Sequence, residues 1–181
     1  MKALFTFILL ITSPLSVQAG ELNSADTAWI LTSTGLVLFM TLPGLALFYG
    51  GLVRSKNVLS IIMSCFTVTT AVSIIWVAFG YSLVFSDGGS WPNFIGDLSQ
   101  VFLLNIDSET LVGSLPASVF SMYHLTFAIF APALIIGGLA ERVRFFPLIL
   151  FCIFWVVFVY IPICHWIWGN GWLAQLGLID F

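Results

Sequence analysis

Residues 160–171 read Tyr-Ile-Pro-Ile-Cys-His-Trp-Ile-Trp-Gly-Asn-Gly, so that Tyr160, His165, Trp166 and Trp168 crowd into nine positions. An indole offers a π face whose quadrupole attracts cations. Trp168, followed by flexible glycines and then by the carboxylate of Asp180, is therefore a candidate for holding a small cation. The same rings would equally serve as an interfacial belt, because Trp and Tyr gather at headgroup level in membrane proteins. A second aromatic pair, Tyr123 and Phe127, is spaced four apart and shares one face if its segment is helical. A lone Phe there is also ordinary packing. Asp180 sits in the apolar run Leu178-Ile179-Asp180-Phe181. Acids in such a setting are rare and mark function, but Asp also favours helix N-caps. His165 reads as a structural hydrogen bonder and His124 as a face-lining residue. Two histidines this far apart in sequence give no metal-ligand pattern. Catalytic constellations, phosphate loops and nucleic-acid motifs are missing from the sequence, so neither an enzyme nor a cofactor is expected.

The elements that carry these residues follow from composition. Of 181 residues 60% are hydrophobic and 7% charged, and the mean hydropathy is +1.12. No soluble domain needs so much apolar surface, and the pattern implies an all-α, polytopic bundle of membrane helices. The net charge of −3 is too small to argue for a nucleic-acid partner. Cys65, Cys152 and Cys164 lie in or beside apolar runs without CxxC spacing, as buried thiols do. Residues 1–19 have a basic start, a short apolar run and a small-residue ending, the pattern of a cleaved signal peptide; a short extra anchor is the other reading. The membrane spans are expected near 29–52, 58–85, 116–140 and 145–163. Leu98, Phe102 and Leu103 suggest an amphipathic piece on the surface between spans two and three.

Four of the five Lys and Arg residues (Arg54, Lys56, Arg142, Arg144) fall in the first and third loops, and the long second loop carries only acids. The positive-inside rule puts the basic loops in the cytoplasm and Trp168 and Asp180 outside, in agreement with a signal peptide that leaves the mature N-terminus outside. Phe127 lies fourteen positions before Glu141, roughly 21 Å along a helix, in the outer half of a core ~30 Å thick. Ala133 with Gly137 and Ser60 with Ser64 have small-xxx-small spacing, which permits close helix approach and is also common in membrane spans generally.

An ordered set of motifs then carries a resemblance. Asp26-Thr27-Ala28-Trp29, Pro43-Gly44-Leu45-Ala46-Leu47-Phe48-Tyr49-Gly50-Gly51, Phe127-Ala128, Pro132-Ala133-Leu134-Ile135, Ala140-Glu141-Arg142, Tyr160-Ile161-Pro162 and His165-Trp166-Ile167-Trp168-Gly169 together resemble the ammonium transporter (Amt/Mep/Rh) family, in its Amt branch. The resemblance implies ammonium or methylammonium as substrate, drawn to an outer vestibule and passed through a hydrophobic pore. It makes Trp168 the ring facing the ion, Phe127 one of two pore-gating rings, Tyr123 a vestibule wall and Asp180 a buried supporting acid. His124 stands where Gln is common, which leaves its role open. Family members have about eleven spans in two inverted halves, so this chain is expected to be an N-terminal portion. The pore histidines, second gate Phe and vestibule Ser would fall beyond Phe181. The resemblance also implies an inner (plasma) membrane location, a homotrimer in the complete protein and a PII-type cytoplasmic regulator. A membrane sensor of ammonium and a structural membrane protein are the alternatives.

Overall fold

The computed structural model describes residues 21–89, 91–107 and 109–180; the expected signal peptide lies outside them. Among the described residues four helical rods are long and apolar enough to cross a membrane: Ser24–Leu52, Ser55–Phe85, Ala117–Leu139 and Phe145–Gln175. The chain is a helical membrane bundle, as its composition implies. Among the described residues strands are confined to one two-residue pair, β1 (Leu111–Val112) against β2 (Leu115–Pro116).

The first rod begins at Asn23, whose side-chain oxygen accepts from the backbone N–H groups of Ala25 and Asp26 at 2.9 and 3.2 Å. This satisfies donors that a helix start leaves orphaned. Asp26, one turn inside, instead receives the Ser114 hydroxyl at 2.6 Å and ties the rod to the β1–β2 hairpin. Helix α1 (Ser24–Phe39) passes through a wide turn at Met40–Leu45, where Leu42 leaves helical geometry next to Pro43, into α2 (Ala46–Leu52). Proline has no N–H to give the ladder, so the break falls where the sequence requires it.

The second rod is α3 (Val58–Ile75), a π turn at Trp76–Gly80, and α4 (Tyr81–Phe85). The third is α5 (Ala117–Leu139), uninterrupted despite Pro132. The fourth is α6 (Phe145–Trp155), a π turn at Val156–Tyr160, and α7 (Ile161–Trp168), with the short α8 (Trp172–Gln175) beyond it. The fourth helix runs on past Ile163, where the apolar stretch thins, so that His165 and Trp168 are helical rather than part of a boundary loop.

Contacts at the rod ends fix an alternating up-and-down course. At the basic end Glu141 accepts from the Arg54 backbone N–H at 2.9 Å and from Asn57 Nδ2 at 2.7 Å, bringing the first and third loops together. Toward the acidic end Trp76 Nε1 donates to the Ser121 carbonyl at 3.2 Å. Between them Cys65, Val68 and Val72 of α3 are fully buried with Ile136 of α5 and Cys152 and Val156 of the fourth rod. Lipid gives helices no hydrophobic drive to associate, so shape fit carries this packing. A close fit falls at Gly137, which lies under the ring of Tyr49; the Tyr49 hydroxyl donates to the Leu134 carbonyl at 3.3 Å. Ser64, of the other small-residue pair, is buried and bonded back to the Ser60 carbonyl.

The acidic loop does not form the amphipathic piece expected around 98–103. Val101–Leu103 is a single 3-10 turn in which Phe102 and Leu103 have φ of 53° and 57°. That left-handed backbone stops a helix from propagating. The start of this segment is pinned to the second rod instead: the Ser82 hydroxyl donates to the Asp97 carbonyl at 2.8 Å, and the Asp97 N–H donates to Ser86 Oγ at 2.6 Å.

Candidate functional site

The acidic end holds a cavity of about 510 Å³, open on one side and walled mainly by rings. Three elements supply them. Helix α5 presents Phe120, Tyr123, His124 and Phe127, which recur at three- and four-residue spacing and so share a face. Phe85 comes from the end of α4 and Trp168 from the end of α7. Both helices end at this level, so Phe85 and Trp168 each reach His124 on the outer turns of α5.

The rings form a continuous chain. Phe127 meets Tyr123 edge-on at a centroid distance of 5.1 Å, Tyr123 meets His124 at 5.6 Å, and His124 meets Trp168 at 5.7 Å. Phe85 and Phe120 flank His124 at 4.8 and 4.2 Å. Tyr123, His124, Phe127 and Trp168 are all half-buried: each offers part of a ring to the opening and packs the rest. Such a surface favours a small cation through its π faces and offers little to an anion.

Asp180 also lines the cavity and is exposed among the described residues. The described residues just before it, 176–179, are exposed too and form no helix. His165 is buried and faces away from the cavity's lining. Its Nδ1 lies 2.7 Å from the Val84 carbonyl and its Nε2 2.9 Å from the Pro92 carbonyl. It braces the wall, since Val84 adjoins Phe85. Gly169 permits this packing: a Cβ there would lie 2.6 Å from His165 Nδ1 and collide with the Val84 carbonyl.

A second, more polar cavity of about 320 Å³ adjoins the first and shares Phe85 and Trp168 with it; Asp87, Asn93, Asn170 and Gln175 line it. Among the described residues no cluster of three or more His, Cys, Asp or Glu is placed to hold a metal. Phe85 and Phe120 escape a reading of the sequence. Phe120 is one turn before His124, a signal that is present but ordinary. Phe85 is identifiable only once two rods are known to end together.

A family model described as Ammonium Transporter Family matches residues 28–181, which take in all but the first turn of the four rods and every ring of the cavity. The chain belongs to the ammonium transporter family. It is 45% identical over 162 residues to the ammonium transporter of Bacillus subtilis, covering 88% of this chain and 39% of that protein. A putative ammonium transporter of Methanothermobacter thermautotrophicus is 43% identical over 162 residues, with the same coverage of both. The crystal structure of Candida albicans Mep2 superposes with a TM-score of 0.77 at 36% identity, over 89% of this chain and 35% of that one. This family member thus spans about two-fifths of the length of the curated relatives it matches.

Proposed function

We propose that this chain forms the N-terminal wall of an ammonium transporter, in which the ring-lined cavity at the acidic end is the outer vestibule. The observation that carries the reading is the convergence of Trp168, Tyr123 and Phe127 on one open cavity in a chain of this family. Trp168 supplies the π face that recruits ammonium, and Tyr123 forms the wall beside it. Phe127, one turn deeper on α5, gates the way inward. Asp180 adds negative potential at the mouth.

Magnitudes divide the labour between these groups. Moving a bare ammonium ion into hydrocarbon costs on the order of 20 kcal/mol in an idealised Born estimate. A desolvated cation–π contact returns about 2 kcal/mol. Trp168 therefore recruits the ion but does not carry it through an apolar pore. Desolvation beyond the mouth disfavours the charged form, so ammonium sheds its proton and neutral ammonia passes Phe127. Potassium, with no proton to lose, stays behind. By the positive-inside rule the acidic end faces outward from a plasma membrane and the basic loops face the cytoplasm. Homotrimeric assembly and a PII-type regulator at the basic end belong to the same reading.

The test is uptake of labelled methylammonium by a full-length transporter carrying this segment, with variants matched for surface expression. Trp168→Leu keeps bulk and apolarity but removes the π face. A loss of about 1–2 kcal/mol should weaken apparent affinity roughly five- to thirtyfold. Phe127→Leu should alter maximal flux instead, because it acts after recruitment. Unchanged affinity in Trp168→Leu would return that residue to the interfacial belt.

A further inference from the structure

The vestibule is poor in hydrogen-bond acceptors, and its neighbours fix the proton of one of them. His124 Nδ1 lies 2.9 Å from the Phe120 carbonyl. A carbonyl oxygen only accepts, so Nδ1 must carry the proton of that contact. The lone pair of the neutral ring is then on Nε2. The Nδ1 contact is the ring's only hydrogen bond to a described residue, and His124 lines the open cavity. Of the other lining side chains only the Tyr123 hydroxyl and the exposed Asp180 carboxylate can accept; the rest are apolar, and the Trp168 indole N–H only donates.

The two rings touch edge to face, so a cation held in the cavity against the indole would lie beside the imidazole edge. A cation gains from an indole face within about 6 Å of the ring centroid, and the His124 centroid is 5.7 Å from that of Trp168 at an interplanar angle of 72°. The two rings also differ in what they recognise. The indole face attracts any small cation, and so does the Asp180 carboxylate. A nitrogen lone pair with a fixed direction rewards a cation that has an N–H to give. Ammonium and methylammonium have one; potassium and tetramethylammonium do not.

We propose that His124 is a specificity-determining residue whose Nε2 accepts a hydrogen bond from ammonium held against Trp168, an inference that rests on the transport reading. Nitrogen-15 spectra of this chain in lipid nanodiscs test the hydrogen bond without transport. The chain has only two imidazoles, His124 and His165, and the signals lost in His124→Gln identify the first. The expected spectrum is an Nδ1-protonated ring whose Nε2 resonance moves toward the hydrogen-bonded range with ammonium chloride. Potassium and tetramethylammonium chloride at the same concentration should leave it in place. An Nε2-protonated ring, no shift with ammonium, or equal shifts with tetramethylammonium would overturn the proposal.

Uptake gives the second arm. In the full-length transporter His124→Leu should weaken apparent methylammonium affinity roughly tenfold, the effect of losing one hydrogen bond to a charged group. His124→Gln, whose amide oxygen restores an acceptor, should recover most of it. An equal loss in both variants would show packing rather than acceptance and would overturn the assignment. If the unsubstituted protein takes up no methylammonium, the transport reading fails, and the spectra still decide the hydrogen bond.

Discussion

The contact between Gly137 and Tyr49 sets a quantitative test of how the bundle is held. A Cβ at position 137 would lie inside van der Waals contact of Cε1 and Cζ of the Tyr49 ring and 2.8 Å from its hydroxyl. In Gly137→Ala the ring must therefore retreat, giving up the 3.3 Å hydrogen bond to the Leu134 carbonyl. The lost hydrogen bond is worth about 1 kcal/mol, and overpacking a fitted contact costs about 1–3 kcal/mol. Some of this is offset because Ala is the better helix former by about 1 kcal/mol. The net expectation is a loss of roughly 1–3 kcal/mol. Equilibrium unfolding in mixed micelles of mild detergent and SDS, followed by far-UV circular dichroism, reads the difference. A double-mutant cycle with Tyr49→Ala isolates the contact: with the ring gone, Gly137→Ala should become neutral or stabilising. The reasoning fails if Gly137→Ala is silent in the original background, or equally damaging with and without the ring.

Two further outcomes can be measured on the same chain. Glu141 has its carboxyl held below the usual carboxylate range, first by the Arg54 backbone N–H and then by the Asn57 amide. Because folding lowers this pKa, its contribution is complete at neutral pH and is lost as pH falls through the folded value. Glu141→Gln should flatten that part of the stability–pH curve, and an unchanged acid limb would exclude the latch. Orientation is open to impermeant thiol labelling, since the three native cysteines are buried and give a quiet background. Leu176→Cys, at a residue 76% exposed, should label in intact cells and Ser55→Cys should not; the reverse pattern would invert the topology.

Much of the architecture is written in the sequence because lipid imposes it: a span must be long, apolar and helical, and those properties show in any window of residues. The pairing of Tyr123 with Phe127 is legible for a similar reason, since four residues make nearly one turn. The role of His124 is not, because it depends on Phe85 and Trp168, which arrive from rods whose relative heights hydropathy does not encode. His165 could be recognised as a hydrogen bonder, but its partners, the Val84 and Pro92 carbonyls, are backbone atoms and leave no trace in residue type. Around Leu98 to Leu103 the apolar residues suggest an amphipathic surface piece, yet the backbone turns left-handed at Phe102 and the start of the segment is held by Ser82 and Ser86. Residue type marks Asp180 only as an acid in an apolar run, because burial depends on what packs over it.

The π turns in the second and fourth rods act as phase shifters. A π turn holds one residue more than the α turn it replaces, and each residue of an α-helix advances the side-chain direction by about 100°. Everything beyond Trp76–Gly80 and beyond Val156–Tyr160 is therefore rotated by that amount relative to an unbroken helix. Phe85 and Trp168, which end the α-helices beyond those turns, both line the cavity. Deleting Val77 or Phe158 would leave composition, hydropathy and span number almost untouched. Because each deletion removes the one extra residue, the turn would close as an ordinary α turn and keep Phe85 or Trp168 on the vestibule, whereas an α turn closed at full length would rotate those rings toward another side of the bundle.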